Sequence, residues 1–423
     1  MAQARKVISI LVDGVSADYF LAHPAKVPNL TRFARQGLFV GRLQAGVPAT
    51  SMPGRAGLLT GVAADCHGIY GNYVLDGHEF RTAGSEDVRV PTIAARATAA
   101  GRDVVSISHG LVDPKDAAVH VPAWWLRGFI NSATYTKTVP TEDIRKSREI
   151  KDPQGRLRAA GIEQIYGFPG AEGALPSPGL VAGMASDLRM LDAAAALACS
   201  DLPPDLILTE IDQTDGLQHD FGYESEAAHW GIAIADMMIG ALVQRLERAP
   251  SRPDYCILIT SDHGHGKIHT SLFPDIILPG ATWAAEGATC HVLVSNADAR
   301  NRALAAFEEH GAQMMQSDHV PRELRDRILT FIAPAECDFE QSLPERNPSG
   351  HPTGRAQYAS THGFRPGSPA DDRFLIVIGK SIAPVTINRA TDDRIAPTMA
   401  DLLGLPLDGF PGRSLLDAEL APA

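Results

Sequence analysis

The sequence predicts an α/β fold, a mainly parallel sheet sandwiched by helices with a smaller α+β cap inserted into it. Three observations carry this reading. Continuous apolar runs (VISILV at 7–12, YCILI at 255–259, FLIVI at 374–378) read as strands buried on both faces. Segments with apolar residues at helical spacing alternate with them, the pattern that joins parallel strands. At 423 residues the chain is also longer than one simple layered unit requires.

In chain order, the first strand (7–12) ends in Asp13-Gly14, which puts Asp13 at a strand's C-terminal end, the edge where open α/β sheets bind ligands. PNLTRFARQG (28–37) reads as a helix through Leu30, Phe33, Ala34 and its terminal Gly. VPATSMPGRAGLLTG (47–61) sets Thr50 and Ser51 ahead of Pro53 and an apolar run, a helix start whose unpaired N–H groups favour an anion. Ser51 there is either a helix cap or a nucleophile. A helix over 91–101 and a strand over 103–107 follow.

From about 115 to 185 the pattern loosens into Pro, Gly and charged clusters around Trp124 and Trp125, an irregular excursion near the site. Periodicity then returns with a helix at 186–200, a strand at 205–211 (DLILTEI), an amphipathic helix at 226–246 and the strand at 255–259. Residues 266–358, with CHVLVS and ADARNRALAAFEEHG, carry their own strand and helix signals and form the expected cap. The core is then 1–265 and 359–423, closing with the strand at 374–378 and a helix at 395–403.

Composition narrows the function. Hydrophobic residues at 44% and charged residues at 21% suit a globular protein, and no run approaches the roughly 18 consecutive apolar residues of a membrane span. The N-terminal apolar run ends in Asp13 without a small-residue cleavage site, which reads as a strand and makes a cytoplasmic location the expectation. Five widely spaced Cys without a CxxC pair indicate neither a disulfide framework nor a zinc finger. A formal charge of −12 argues against nucleic acid or an anionic membrane as partner. It leaves room for a small anionic substrate, because cations in a cleft reverse the local field.

Four clusters fall at strand ends: Asp13; Asp215 and His219 in DGLQHDFG; Asp262 and His263 in SDHGHG; and His362 in STHG. Three Asp and three His offer mixed oxygen and nitrogen ligation, which suits zinc or another first-row divalent ion better than calcium.

With these clusters the chain resembles the alkaline phosphatase superfamily, most closely its nucleotide pyrophosphatase/phosphodiesterase-like branch and, through HGIYGNY and the DxxQH spacing of Asp215 to His219, its phosphonoacetate hydrolases. The resemblance spans about residues 5–110, 186–270 and 355–415. It implies an alkaline phosphatase-like fold and two divalent metal ions, Zn2+ first and Mn2+ second. Asp215, His219 and His362 would hold one ion; Asp13, Asp262 and His263 would hold the other, with Ser51 bound to it as nucleophile. Ser51 stands where the family usually has Thr. Asn72, in HGIYGNY, would bind a nonbridging phosphoryl oxygen. Thr50, Arg55, His265 and His269 are further candidates for substrate contact.

The implied activity is hydrolysis of phosphate esters, diesters or pyrophosphates before monoesters, through a covalent phosphoseryl intermediate. Metal coordination would favour the serine alkoxide, and a second ion about 4 Å away would steady the leaving oxygen. Other readings are C–P cleavage, phosphomonoester hydrolysis, a formylglycine sulfatase and a non-catalytic binding protein of the same fold. SMPGR is close to the sulfatase signature through Arg55, but VDG supplies one Asp where sulfatases use two. The lysines with which phosphonoacetate hydrolases hold a carboxylate are replaced by Ser108, His109 and Gly110, with Lys115 only later. Oligomeric state is left open by the sequence.

Overall fold

The computed structural model describes residues 6–125, 149–163, 165, 180–250 and 254–417. Its centre is an eight-stranded sheet. In chain order the strands are β1 (Lys6–Val12), β2 (Leu38–Gln44), β3 (Val104–Ile107), β4 (Val119–Val121), β5 (Leu206–Ile211), β6 (Tyr255–Thr260), β7 (Arg373–Ile378) and β8 (Val385–Thr391). Across the sheet they run β8-β2-β7-β6-β1-β5-β3-β4. β1 pairs in parallel with β5 and β6, β3 with β4 and β5, and β8 with β2. β7 runs antiparallel to both β2 and β6. The sheet is therefore mainly parallel, with one reversed strand that the apolar run FLIVI did not reveal.

Both faces are covered, as the continuous apolar strands require. Val7 and Leu11 of β1 enter one core, with residues of α2 (Ser51–Thr60), α3 (Ile93–Ala99) and α8 (Ile395–Leu403). Ile8, Ile10 and Val12 enter the other, with α1 (Pro28–Gln36), α4 (Leu180–Ala198) and α6 (Glu226–Arg248). This is the period-two alternation of a strand sandwiched between helix layers. By length and composition α6 is apolar enough to cross a membrane, although His229 and Asp236 interrupt its apolar residues. Its buried side, including Ile232, Ala235, Ile239 and Leu242, packs in the second core.

α5 (Gln213–Phe221) follows β5 directly. Part of the excursion expected at about 115–185 lies outside the described residues; within them it supplies β4 and a short helix, Arg156–Ala159, so it is more regular than its composition suggested.

Between β6 and β7 the chain leaves the sheet. Gly266–Lys267 on the way out pairs with Ser360–Thr361 on the way back, forming a neck next to His265 and His362. The intervening chain builds a four-stranded antiparallel sheet from Trp283–Glu286, Thr289–Leu293, Gln313–Met315 and Ile328–Ile332. Helix α7 (Ala297–Glu309) packs on it through Ala303 and Phe307, over Cys290, Val292, Leu329 and Phe331. Among the described residues all five Cys are unpaired.

Candidate active site

The chemistry gathers at the C-terminal ends of β1, β5 and β6. Ser51 is the first residue of α2, and Thr50 is the N-cap, in extended backbone and without a side-chain cap bond. Ser51 is therefore free of a capping role. Its Oγ lies 3.3 Å from His263 Nε2. Gly54 lets α2 lie directly on the loop after β6: a Cβ there would come 2.1 Å from the Asp262 carbonyl oxygen. Asn72 is linked to the same helix start, its Oδ1 accepting the Met52 N–H at 2.8 Å. With Oδ1 occupied, the group Asn72 can offer an anion is its NH2.

All six residues of the two implied metal sets meet. Asp215, His219 and His362 form one group whose ligand atoms lie within 4.8 Å of one another, and Asp13, Asp262 and His263 form another. Asp215 and His219 are one turn apart on α5, which places them on the same face, with His219 Nε2 3.4 Å from Asp215 Oδ2. Asp215 also joins a third such group with His263 and His265. The groups touch, since His263 Nε2 lies 3.9 Å from Asp215 Oδ1 and 3.1 Å from Asp13 Oδ1.

These residues fit divalent cations on the protein's own terms. Among the described residues His362 Nδ1 is buried without a hydrogen bond, an unpartnered donor atom suited to a cation. The cluster is also short of positive charge, and protons supply it. Burial alone would push the His263 pKa down, but Asp262, Asp13 and Asp215 outweigh it and raise it to about 10. Burial and Asp13 together raise Asp262 to about 7. His362, by contrast, is held neutral, its pKa well below the usual range through burial and the neighbouring His263.

Arg55 lies behind the Asp13 side. Its guanidinium is fully buried, and it donates to Asp13 Oδ2 at 2.7 Å, Glu210 Oε2 at 2.9 Å, Asp212 Oδ1 at 3.2 Å and Asp262 Oδ2. Burial pushes the Asp13 carboxyl up, and Arg55 with His263 more than reverses that, leaving it below its ordinary value. Asp212 goes the other way: burial, Glu210 and Asp187 raise it well above the usual carboxylate range. The indoles of Trp124 and Trp125 complete this back wall, donating to Asp187 Oδ1 at 2.7 Å and Glu210 Oε1 at 3.0 Å.

Four residues expected from the sequence to contact substrate take other roles at these positions. Arg55 is turned away from a substrate anion, because its fully buried guanidinium is occupied by four carboxylates. Thr50 is fully buried, its hydroxyl donating to Glu286 Oε2 at 3.3 Å. His269 is exposed, with its backbone tied to Glu336 and Ala356 of the inserted segment. His265 belongs to the metal-type cluster: Nε2 lies 2.7 Å from Asp215 Oδ1 and Nδ1 3.1 Å from Ser360 Oγ. Sequence reasoning missed Glu210, Asp212, Asp187 and Glu286. Glu210 carried a usable signal, since an acid inside the apolar run DLILTEI must find a buried cationic or hydrogen-bonding partner.

A cavity of ≈ 290 Å³ opens on the cluster, lined by Asp13, Ser51, Asn72 and Asp215 and by the aromatic residues Tyr73, Trp124 and Trp125. An apolar wall beside a few convergent polar groups is the usual form of a small-molecule site. A family model described as type I phosphodiesterase / nucleotide pyrophosphatase matches residues 7–364. The chain belongs to this family. Membership in the type I phosphodiesterase/nucleotide pyrophosphatase family supports phosphodiester hydrolysis as its activity, and the family is metal-dependent. No curated protein matches the chain in sequence. Among solved structures, an inactive form of murine ectonucleotide pyrophosphatase/phosphodiesterase 5 in complex with AMP is 16% identical with a TM-score of 0.67, covering 96% of this chain and 97% of that one. The human counterpart is 16% identical with a TM-score of 0.65, covering 97% of each chain. At that identity the likeness establishes the fold, which is alkaline phosphatase-like.

Proposed function

We propose that the protein is a dinuclear metal-dependent phosphodiesterase or nucleotide pyrophosphatase with Ser51 as its nucleophile. The observation that carries this reading is the meeting of Ser51 Oγ, at the start of α2, with two contiguous donor groups, each of which turns one carboxylate (Asp13, Asp215) into the same cavity. Asp215, His219 and His362 would hold one divalent ion and Asp13, Asp262 and His263 the other, zinc before manganese, and together the ions would supply Lewis-acid activation of the hydroxyl and neutralisation of phosphoryl charge.

The chain's own groups do the rest. Ser51 Oγ attacks phosphorus in line; an Oγ–P bond forms while the P–O bond to the leaving group breaks, and the departing alcohol or phosphate carries away the proton that the hydroxyl gives up. Asn72 NH2 and the Ser51 N–H hold the nonbridging oxygens, which gain charge in the transition state, the Met52 N–H being occupied by Asn72 Oδ1. Water then cleaves the Oγ–P bond and returns the proton to Ser51. The AMP complex of the murine protein supports a nucleotide-derived substrate, and Tyr73, Trp124 and Trp125 give this cavity aromatic surface against which a base or aryl group can pack.

Metal analysis and parallel assays test the reading. Purified protein is expected to carry about two zinc or manganese ions per chain, to lose activity to chelator and regain it with metal. It should cleave an aryl phosphodiester faster than the matching monoester, phosphonate or sulfate. A single calcium ion, or sulfate as the best substrate, would overturn it.

A further inference from the structure

The inserted segment reaches the site through one hairpin, and its turn touches both sides of the catalytic constellation. Ala288 N–H donates to the His362 carbonyl at 2.9 Å and Thr289 Oγ1 to the Gly363 carbonyl at 2.6 Å. On the other side, Glu286 turns a buried carboxylate toward the nucleophile loop. Its Oε2 accepts the main-chain N–H of Asn72 and the hydroxyl of Thr50, the N-cap of α2. Its Oε1 lies 2.7 Å from His291 Nε2 on the adjacent strand. Gly71 makes the approach possible, because a Cβ there would fall 2.5 Å from both Glu286 Oε1 and His291 Nε2.

Hydrogen-bond accounting extends this into a chain of buried groups. The Gln316 carbonyl, 2.8 Å from His319 Nδ1, can only accept, so Nδ1 carries a hydrogen. Burial, aided by the nearby His291, lowers the His319 pKa to about 4, so the ring is neutral and its Nε2 accepts the Thr330 hydroxyl at 3.1 Å. Thr330 Oγ1 must then accept from His291 Nδ1, 3.0 Å away. The remaining contact, His291 Nε2 to Glu286 Oε1, therefore holds a proton of its own. Glu286 is clamped from behind by that proton and aimed forward at Asn72 and Thr50.

We infer that Glu286, supplied by the inserted segment, is a positioning residue for the phosphoryl pocket: it fixes the Asn72 main chain and the α2 N-cap so that Ser51 and the Asn72 amide line one cavity in register. It touches no reacting atom. The inference rests on the function proposed above and adds that the insert builds the site.

Three variants, read by kinetics on an aryl phosphodiester and by amide hydrogen exchange, test it. Glu286→Ala is expected to lower kcat roughly 30- to 100-fold with KM within about threefold, since misplacing a donor costs transition-state contacts. Exchange at the Asn72 and Met52 amides should rise at least about tenfold, by local opening. Glu286→Gln keeps a carbonyl for Asn72 and Thr50 and offers its NH2 to a neutral His291, so kcat should return to within about fivefold and protection should be restored. Glu286→Asp, which keeps the charge but withdraws it by one methylene, should fall between the two and covers the case that the alanine variant does not fold. Wild-type protection at Asn72 and Met52 in the aspartate or alanine variant, or a glutamine variant as exchange-labile as the alanine one, would overturn the inference. An inactive wild type would overturn the proposed function instead, and the exchange pattern would still decide the role of Glu286.

Discussion

Asp13 and Asp262 are held by the charge of Arg55, whereas Asp215, His219 and His362 are set among histidines and the hydrogen-bonding groups of Ser360. In the first group Arg55 fixes both carboxylates from behind, inside a cluster that also contains Glu210 and Asp212. In the second, the Ser360 carbonyl orients His219 Nδ1 at 3.0 Å, and His265 bridges Asp215 and the Ser360 hydroxyl, which donates to the Gln218 carbonyl. Two adjacent cation positions can thus be assembled by different means. The first keeps its geometry only while its charges balance. The second depends on hydrogen bonds worth about 1 kcal/mol each.

The largest expected effect falls on the charged side. Arg55→Met leaves four buried carboxylates without their shared cation and should cost about 3–5 kcal/mol of unfolding free energy, read by denaturant melts of the metal-free protein. Arg55→Lys restores charge without the planar fork and should recover only part. A methionine variant as stable as wild type would erase the distinction between the two groups.

Proton release upon metal binding sharpens it. At pH 7 His263, with its pKa at about 10, is protonated, and Asp262, at about 7, is partly so, while His362 is neutral. Filling the Asp13 side with zinc should therefore expel about one proton or more, as read by calorimetry in buffers of different ionisation heat. The same raised pKa has a sign for stability. Because His263 binds its proton more tightly when folded, its contribution is complete below the unfolded value of about 6.5 and is lost as pH rises toward 10, so the metal-free protein should melt progressively lower over that window. A flat profile would contradict the account of His263.

The smallest effect belongs to the Asp215 side. Ser360→Ala removes the hydroxyl that orients His265 and should cost about 1 kcal/mol of stability and roughly tenfold in metal affinity. A loss as large as that of Arg55→Met would place the two groups on the same footing.

The contrast also explains what the sequence disclosed. Asp13 and Asp262 end apolar runs, so strand ends and ligand candidates were legible together. Arg55 was visible only as a basic residue near Ser51, since its partners come from β1, β5 and β6 and their edges, far apart in the chain. α5 was hidden in the polar stretch DGLQHDF, whose helical form is imposed by packing against α6 and α4 rather than by apolar periodicity. β2 and β8 escaped notice because Gly41 and Arg42 interrupt one and the other alternates as an exposed edge. The reversed direction of β7 is a property of pairing, and an apolar run carries no direction. Glu286 lay in a segment whose residues carry no visible link to Ser51; only the hairpin's approach to Gly71 supplies it.

The measurement closest to the centre of the account is mass analysis of the peptide spanning residues 47–61 after rapid acid quench of the metal-loaded enzyme turning over an aryl phosphodiester. The account predicts a phosphoryl-ester adduct on Ser51 that forms before steady state and is absent, with turnover, in Ser51→Ala. An adduct on Thr50, or turnover that persists in Ser51→Ala, would contradict it.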